Sequence, residues 1–170
     1  MSSTSAKHAA LSDRPSLAAS LDYYRLATFD LSWGGVVRGI EKESLRVSPT
    51  GALSQSVHPE ALGSTLTNPY ITTDFSESLL EFITPAYERI EDCLGMLEGI
   101  HRFTLTRLEN QEMLWGSSMP CALGGEDEIP IALFGTSSLG KLKTLYREGL
   151  SNRYGKIMQT IAGIHYNFSM

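Results

Sequence analysis

The chain has 170 residues, 42% of them hydrophobic, enough for one sizeable core and, on length alone, one domain. A formal charge of -5 argues against non-specific binding to nucleic acid or to an anionic membrane, and suits metal ions and their complexes better. Cys93 and Cys121 are too few for a secreted disulfide framework and lack the CxxC spacing of a zinc or redox motif, so a reducing cytoplasm is the expected compartment.

The polar opening "MSSTSAKHAALSDRPSLAAS" has no continuous apolar segment of the signal-peptide kind, and no later run is long enough to span a membrane. Residues 1–14 are expected to form a disordered tail and residues 15–170 a folded unit. Pro15, with Leu17, Leu21 and Tyr24 at helical spacing, predicts a first helix that ends before Gly34 and Gly35. A strand over 36–47 follows, closed by the turn signal "SPTG" at 48–51, then a short return strand and a one-turn helix at "HPEALG". The next strand signal is "YITTDFSESLLEFITP", residues 70–85. From 87 to 112, Ile90, Leu94, Leu97, Ile100, Thr104 and Leu108 recur every three or four residues, which predicts a long amphipathic helix. An irregular stretch rich in Gly, Pro and Ser comes next. A second helix, "KLKTLYREGLSNRYG", ends at Gly155, and "QTIAGIHYNFSM" alternates as a strand. Without a βαβ rhythm, this order predicts an α+β fold, a mainly antiparallel sheet with helices on one side.

Chemistry collects on the polar faces of the strands. In "RGIEKESLRV" Glu41 and Glu43 share parity, so an extended chain points both carboxylates from one sheet face, where they repel. His165 and Asn167 repeat that spacing on the last strand. Asp74 and Glu81 are an odd number of residues apart, so a bulge or turn near Ser76 is needed before they can share a face. Carboxylates rising from one face suit the hard cations Mg²⁺ or Mn²⁺. The same pattern also suits a solvated face whose charges pair with Lys or Arg across the sheet, and a lone histidine is more commonly a packing residue.

A second motif competes. "GTSSLGKL", residues 135–142, matches G-x-x-x-x-G-K after the apolar run "IPIALF", as in a phosphate-binding P-loop, but Leu142 stands where Ser or Thr should ligate Mg²⁺. The alternative is a loop entering a helix, with Thr136, Ser137 and Lys141 still able to meet a phosphate at the helix start.

Together "RGIEKESLRV", "HPEALGSTLT", "YITTDFSESLLEFITP", "SMPC", "FGTSSLGKLKTLYREGLSNRYG" and "MQTIAGIHYNFS" resemble, in order, the amino-terminal part of bacterial glutamate-cysteine ligase, over residues 36–170. That resemblance implies a funnel-shaped antiparallel sheet akin to glutamine synthetase, with ATP as co-substrate and Mg²⁺ or Mn²⁺ as cofactor. It implies ligation of L-glutamate to L-cysteine through a γ-glutamyl phosphate, the first step of glutathione synthesis. Carried over residue by residue, Glu41 and Glu43 would ligate metal, His165 would share the ion of Glu43, and Asp74 and Glu81 would hold another. Asn167 would donate to substrate or a phosphate oxygen, with Arg147 and Lys143 as nearby cations and Thr136 and Lys141 as nucleotide candidates. Phe75, Tyr146, Leu150 and Gln159 would form the cysteine pocket. The resemblance also implies further metal and ATP contacts past residue 170. The chain is therefore expected to be an inactive piece of a longer, monomeric, cytoplasmic enzyme whose partners are small molecules. A P-loop NTPase and a non-catalytic binding module derived from the ligase are the other readings.

Overall fold

In the computed structural model, which describes residues 35–169 together with residues 16, 18 and 19, strand β1 (Val37–Val47) is the spine of a five-stranded sheet. The predicted tail, and all but those three residues of the helix predicted from Pro15, lie outside the described residues. Val36–Met170 forms a compact unit by itself.

One edge of β1 pairs antiparallel with β3 (Leu79–Ile83), which pairs in turn with β2 (Ile71–Thr73). The other edge carries β5 (Ile164–Ser169) along the first half of β1 and the short β4 (Met113–Leu114) at its end. Every pairing among these five strands is antiparallel, in line with the mainly antiparallel sheet that the sequence predicts; the isolated bridge between Ala52 and Ala122 is parallel. The return strand after "SPTG" reduces to a single bridge between Val47 and Leu53, and "HPEALG" does form a one-turn helix, Glu60–Leu62.

The strand signal over 70–85 folds as a hairpin, broken by a turn at Ser76 where Asp74 and Glu81 require a bulge or turn in order to share a face. Its turn is held at Ser76, whose carbonyl accepts the Leu79 amide at 2.9 Å and whose hydroxyl donates to the Pro130 carbonyl at 2.8 Å. Folding back there puts Thr72 opposite Glu81 and brings Asp74 beside Leu79, so Asp74 and Glu81 come to one face.

Helix α1 (Ile90–Leu105) is shorter than predicted: Asn110 and Gln111 adopt left-handed backbone conformations that turn the chain into β4. Its buried face keeps the expected Leu97, Ile100 and Thr104 and takes Cys93 in place of Ile90 and Leu94. Cys93, Ile100 and Thr104 are buried, with Met96 and Leu97 partly so, whereas Ile90 and Leu94 are exposed. Helix α2 (Ser138–Tyr154) starts earlier than predicted because the Ser137 hydroxyl caps it, accepting the Gly140 amide at 3.1 Å.

The sheet separates two apolar clusters. Even-numbered β3 residues Leu80 and Phe82 join Ile71, Leu62 and Ile100 beneath α1. Odd-numbered Leu45, Val47 and Leu79 join Phe75, Leu53, Cys121 and Ile129 on the opposite face, where Leu150 of α2 also packs. Helices on one side is thus correct for α1 alone, since α2 reaches the other cluster. Burying each such side chain contributes roughly 1.5–3 kcal/mol, which fixes the strand parity that any site on the same face inherits.

Candidate active site

The dry cluster occupies only one end of its face. Toward the start of β1 the same odd-numbered positions become Glu43 and Glu41. Glu43 stands opposite Glu81 of β3, and Glu41 opposite His165 of β5. The Arg46 amide bonds Ser78 and the Glu43 amide bonds the Gly163 carbonyl, so odd residues of β1 direct their amides to β5. Glu43 and Glu81 therefore form a non-hydrogen-bonded pair, the position where facing side chains stand closest. Asn167, opposite Gly39, completes the polar half of this face.

These side chains are engaged locally. His165 Nδ1 lies 3.1 Å from Glu41 Oε2, and Asn167 Nδ2 donates to Glu41 Oε1 at 3.1 Å. The Gly163 amide donates to Glu43 Oε2 at 2.6 Å. Lys42, of opposite parity, turns its ammonium to Ser44 and the Glu43 carbonyl on the far face, so it does not neutralise the pair. Among the described residues no Lys, Arg or His forms an ion pair with Glu43, Glu81 or Asp74.

The electrostatic consequence is a proton affinity well above normal. Burial, then the charges of Asp74, Glu43 and Glu41, push the Glu81 carboxyl up to about 7. Burial raises Glu43 as well, with Asp74 adding to it and the Gly163 amide opposing it. His165 is raised by its hydrogen bond to Glu41.

Among the described residues no three of these side chains already converge on one point as a finished metal centre. The donor set nevertheless fits a hard cation. An ideal Cβ built on Gly163 would lie 3.3 Å from His165 Nε2 and 3.6 Å from both carboxylate oxygens of Glu43, so three donor atoms border one small gap. An open cavity of about 250 Å³ adjoins Glu41 and Asn167.

Arg147 is not a solvent-facing helix charge. It is half-buried, donates from Nε to the Asp74 carbonyl and from Nη1 to the Lys143 carbonyl at 2.9 Å, and lies over the Phe134 ring. Burial lowers its proton affinity, and the nearby charges of Asp74 and Glu81 oppose that. Phe75 is a core residue, 1% exposed, in the cluster on which Leu150 packs. Tyr146 is exposed on α2, and Gln159 is partly buried in the short helix Ile157–Thr160.

The P-loop-like stretch has structural reasons for its glycines. A Cβ on Gly140 would fall 2.3 Å from the Phe134 carbonyl oxygen, and Gly135 has φ of 83°. The preceding "IPIALF" is not a strand of the sheet; it makes one bridge, Ile131 to Ser76. Thr136 and Lys141 are exposed and border a cavity of about 430 Å³ lined also by Leu133, Thr144 and Glu148, and by none of the carboxylates above. Sequence reasoning missed the Gly163 amide and the Arg147 anchor on a backbone carbonyl. No residue pattern announces a main-chain partner.

Residues 28–170 match the profile of the family described as glutamate-cysteine ligase. The chain is 56% identical over 135 residues to the glutamate-cysteine ligase of Alcanivorax borkumensis, covering 79% of this chain and 26% of that protein. It is 57% identical over 136 residues to that of Proteus mirabilis, covering 80% and 26%. The fold matches a crystal structure of Francisella tularensis glutamate-cysteine ligase in complex with AMP, with a TM-score of 0.77, 49% identity, and coverage of 79% of this chain and 27% of that one. It also matches a bifunctional glutathione synthetase from Pasteurella multocida, with a TM-score of 0.72, 38% identity, and coverage of 81% and 18%. The fold and these matches define a class, the ligases. Within it, the chain belongs to the glutamate-cysteine ligase family, and it spans about a quarter of the length of the curated relatives it matches.

Proposed function

We propose that this chain contributes the divalent-cation site, and part of the substrate surface, of an enzyme that uses ATP to join the γ-carboxylate of L-glutamate to the amine of L-cysteine. The observation that carries the reading is the half-buried group of Glu41, Glu43, Asp74 and Glu81 at one end of a sheet face, in which Glu43 and Glu81 face each other directly. Facing carboxylates in a half-buried site gain from a cation placed between them, and Glu43 and Glu81 both carry the raised proton affinity of such a pair.

Glu43 with His165, and Asp74 with Glu81, are the residues that would hold Mg²⁺ or Mn²⁺, with Glu41 beside them. Such ions supply the positive charge that lets polyphosphate and carboxylate oxygens approach one another. The γ-carboxylate takes the terminal phosphoryl group of ATP and ADP leaves; the cysteine amine then displaces phosphate and gives up a proton. Asn167, whose amide now rests on Glu41, can donate to a substrate or phosphate oxygen, and Arg147 holds a positive charge near Asp74 and Glu81. Phe75 and Leu150, sharing one cluster, with Tyr146 and Gln159, would receive the cysteine side chain. The AMP bound to the Francisella relative supports a nucleotide as co-substrate.

The test belongs in a full-length family member carrying these residues. Glu41→Gln and Glu43→Gln each keep shape and remove a ligand charge, so turnover is expected to fall on the order of 100-fold. Glu43→Gln and His165→Ala should both raise the Mg²⁺ concentration for half activity, the pair together adding little to either alone. Lys42→Gln should leave that concentration unchanged. All four behaving like wild type would overturn the reading. The 170-residue chain assayed alone is expected to form no γ-glutamylcysteine.

A further inference from the structure

We infer that Gly163 is a positioning residue for the cation: its amide sets the Glu43 carboxylate, and its missing side chain keeps open the gap between Glu43 and His165. The inference rests on the cation reading above and assigns a role to a residue that the reading does not use.

Gly163 continues the β1–β5 register one pair beyond β5, directly opposite Glu43. Its carbonyl accepts the Glu43 amide at 3.0 Å, as a regular antiparallel pair requires. The return bond does not follow the ladder. The Gly163 amide goes to Glu43 Oε2 at 2.6 Å, and the Glu43 carbonyl instead accepts the Lys42 ammonium at 3.3 Å. One carboxylate rotamer is thereby selected by the main chain, with the second oxygen, Oε1, left over.

His165 is set from the other side. Its Nδ1 engages Glu41, which leaves Nε2 as the atom available to a ligand, and Nε2 is the atom nearest to where a Gly163 side chain would begin, at 3.3 Å. Both Glu43 oxygens lie 3.6 Å from the same point. Unlike Gly135 and Gly155, Gly163 is not among the residues with positive φ, so an alanine can adopt its backbone. Glycine here answers to space rather than to conformation, the situation expected where a ligand approaches the backbone of a strand.

Gly163→Ala places a methyl group in the gap without asking the backbone to move, so it separates loss of the gap from loss of the fold. The probe is Mn²⁺ alone, titrated into a full-length family member carrying these residues and followed by paramagnetic broadening of the selectively labelled His165 ring and Gly163 amide resonances, with free Mn²⁺ counted by electron paramagnetic resonance. In the wild-type protein both resonances are expected to broaden together. Gly163→Ala should weaken Mn²⁺ binding about 10-fold or more, the loss expected when a group that orients a ligand is disturbed, while its melting midpoint holds or rises. Gly99→Ala, on the open surface of α1, should bind as wild type does. If Glu43→Gln loses Mn²⁺ and Gly163→Ala does not, the inference fails and the cation reading stands. If Glu43→Gln binds like wild type, or Mn²⁺ leaves His165 unbroadened in the wild-type protein, the cation reading fails and takes the inference with it. Should the alanine variant not fold, the wild-type spectrum still decides: a Gly163 amide that stays sharp while His165 broadens overturns the proposal.

Discussion

Two sets of buried or half-buried carboxylates lie along β1, and the chain treats them in opposite ways. At the end of the strand Glu112 is enclosed with Arg46, which is 0% exposed. Their ion pair measures 2.8 Å, the Ser54 hydroxyl donates to the second Glu112 oxygen, and Arg46 Nη2 also bonds the carbonyls of Ser56 and Glu77 at 2.7 and 3.0 Å. At the other end Glu43 and Glu81 face each other, and among the described residues no cation pairs with either. A chain that closes one carboxylate so completely, and leaves the others in mutual repulsion a few residues away, has put its structural charge and its chemical charge in different places.

The largest effect should come from breaking the closed pair. Arg46→Met strands the Glu112 carboxylate in the interior and is expected to cost about 3–5 kcal/mol, read from chemical denaturation. A loss under 1 kcal/mol, on the scale of an exposed pair, would erase the contrast between the two regions.

The open group should respond with the opposite sign. Glu81 has a folded proton affinity raised to about 7 from an ordinary 4.5, so the stability associated with it is fully present below pH 4.5 and is lost as pH rises through 7. With metal chelated at pH 8, Glu81→Gln should therefore be more stable than wild type, on the order of 1 kcal/mol after allowing for solvent screening of a partly exposed group. At pH 4 the two should converge. A variant less stable than wild type at pH 8 would mean that Glu81 already has a partner within the chain.

The helix start offers a smaller, sharper comparison. Lys141→Ala removes an exposed charge and should change stability by about 0.5 kcal/mol or less. In a full-length relative it should leave nucleotide binding largely intact; complete loss of binding would revive the P-loop. The smallest effect is spectroscopic. In the metal-free chain the His165 imidazole should titrate above 6.5 because Glu41 accepts its hydrogen bond, and Glu41→Gln should bring it down, as followed by NMR.

Strand parity was legible because period-two alternation is a property of the chain itself. Glu41 and Glu43 had to share a face, and His165 with Asn167 had to share one, whatever the rest of the fold did. The helices were legible in existence but not in extent. The spacing of Ile90 and Leu94 extended the expected stripe into the first turns of α1, where packing covers Cys93 instead while Ile100 and Thr104 are buried as the spacing predicts, because the sheet surface, not the helix, decides which stripe is covered.

Residue types and their alternation thus determined by themselves an antiparallel α+β chain with acidic side chains on its strands, and six ordered motifs pointed to one family. Tertiary structure decided what those side chains meet. A turn at Ser76 rather than a bulge brought Asp74 to the face of Glu81, and antiparallel register put Glu43 against Glu81 in a non-hydrogen-bonded pair. The Gly163 amide was diverted from the ladder to a carboxylate. Each of these depends on which backbone groups remain unpaired once the sheet is assembled, and a main-chain amide or carbonyl is present at nearly every residue, so its destination leaves no mark in the order of side chains.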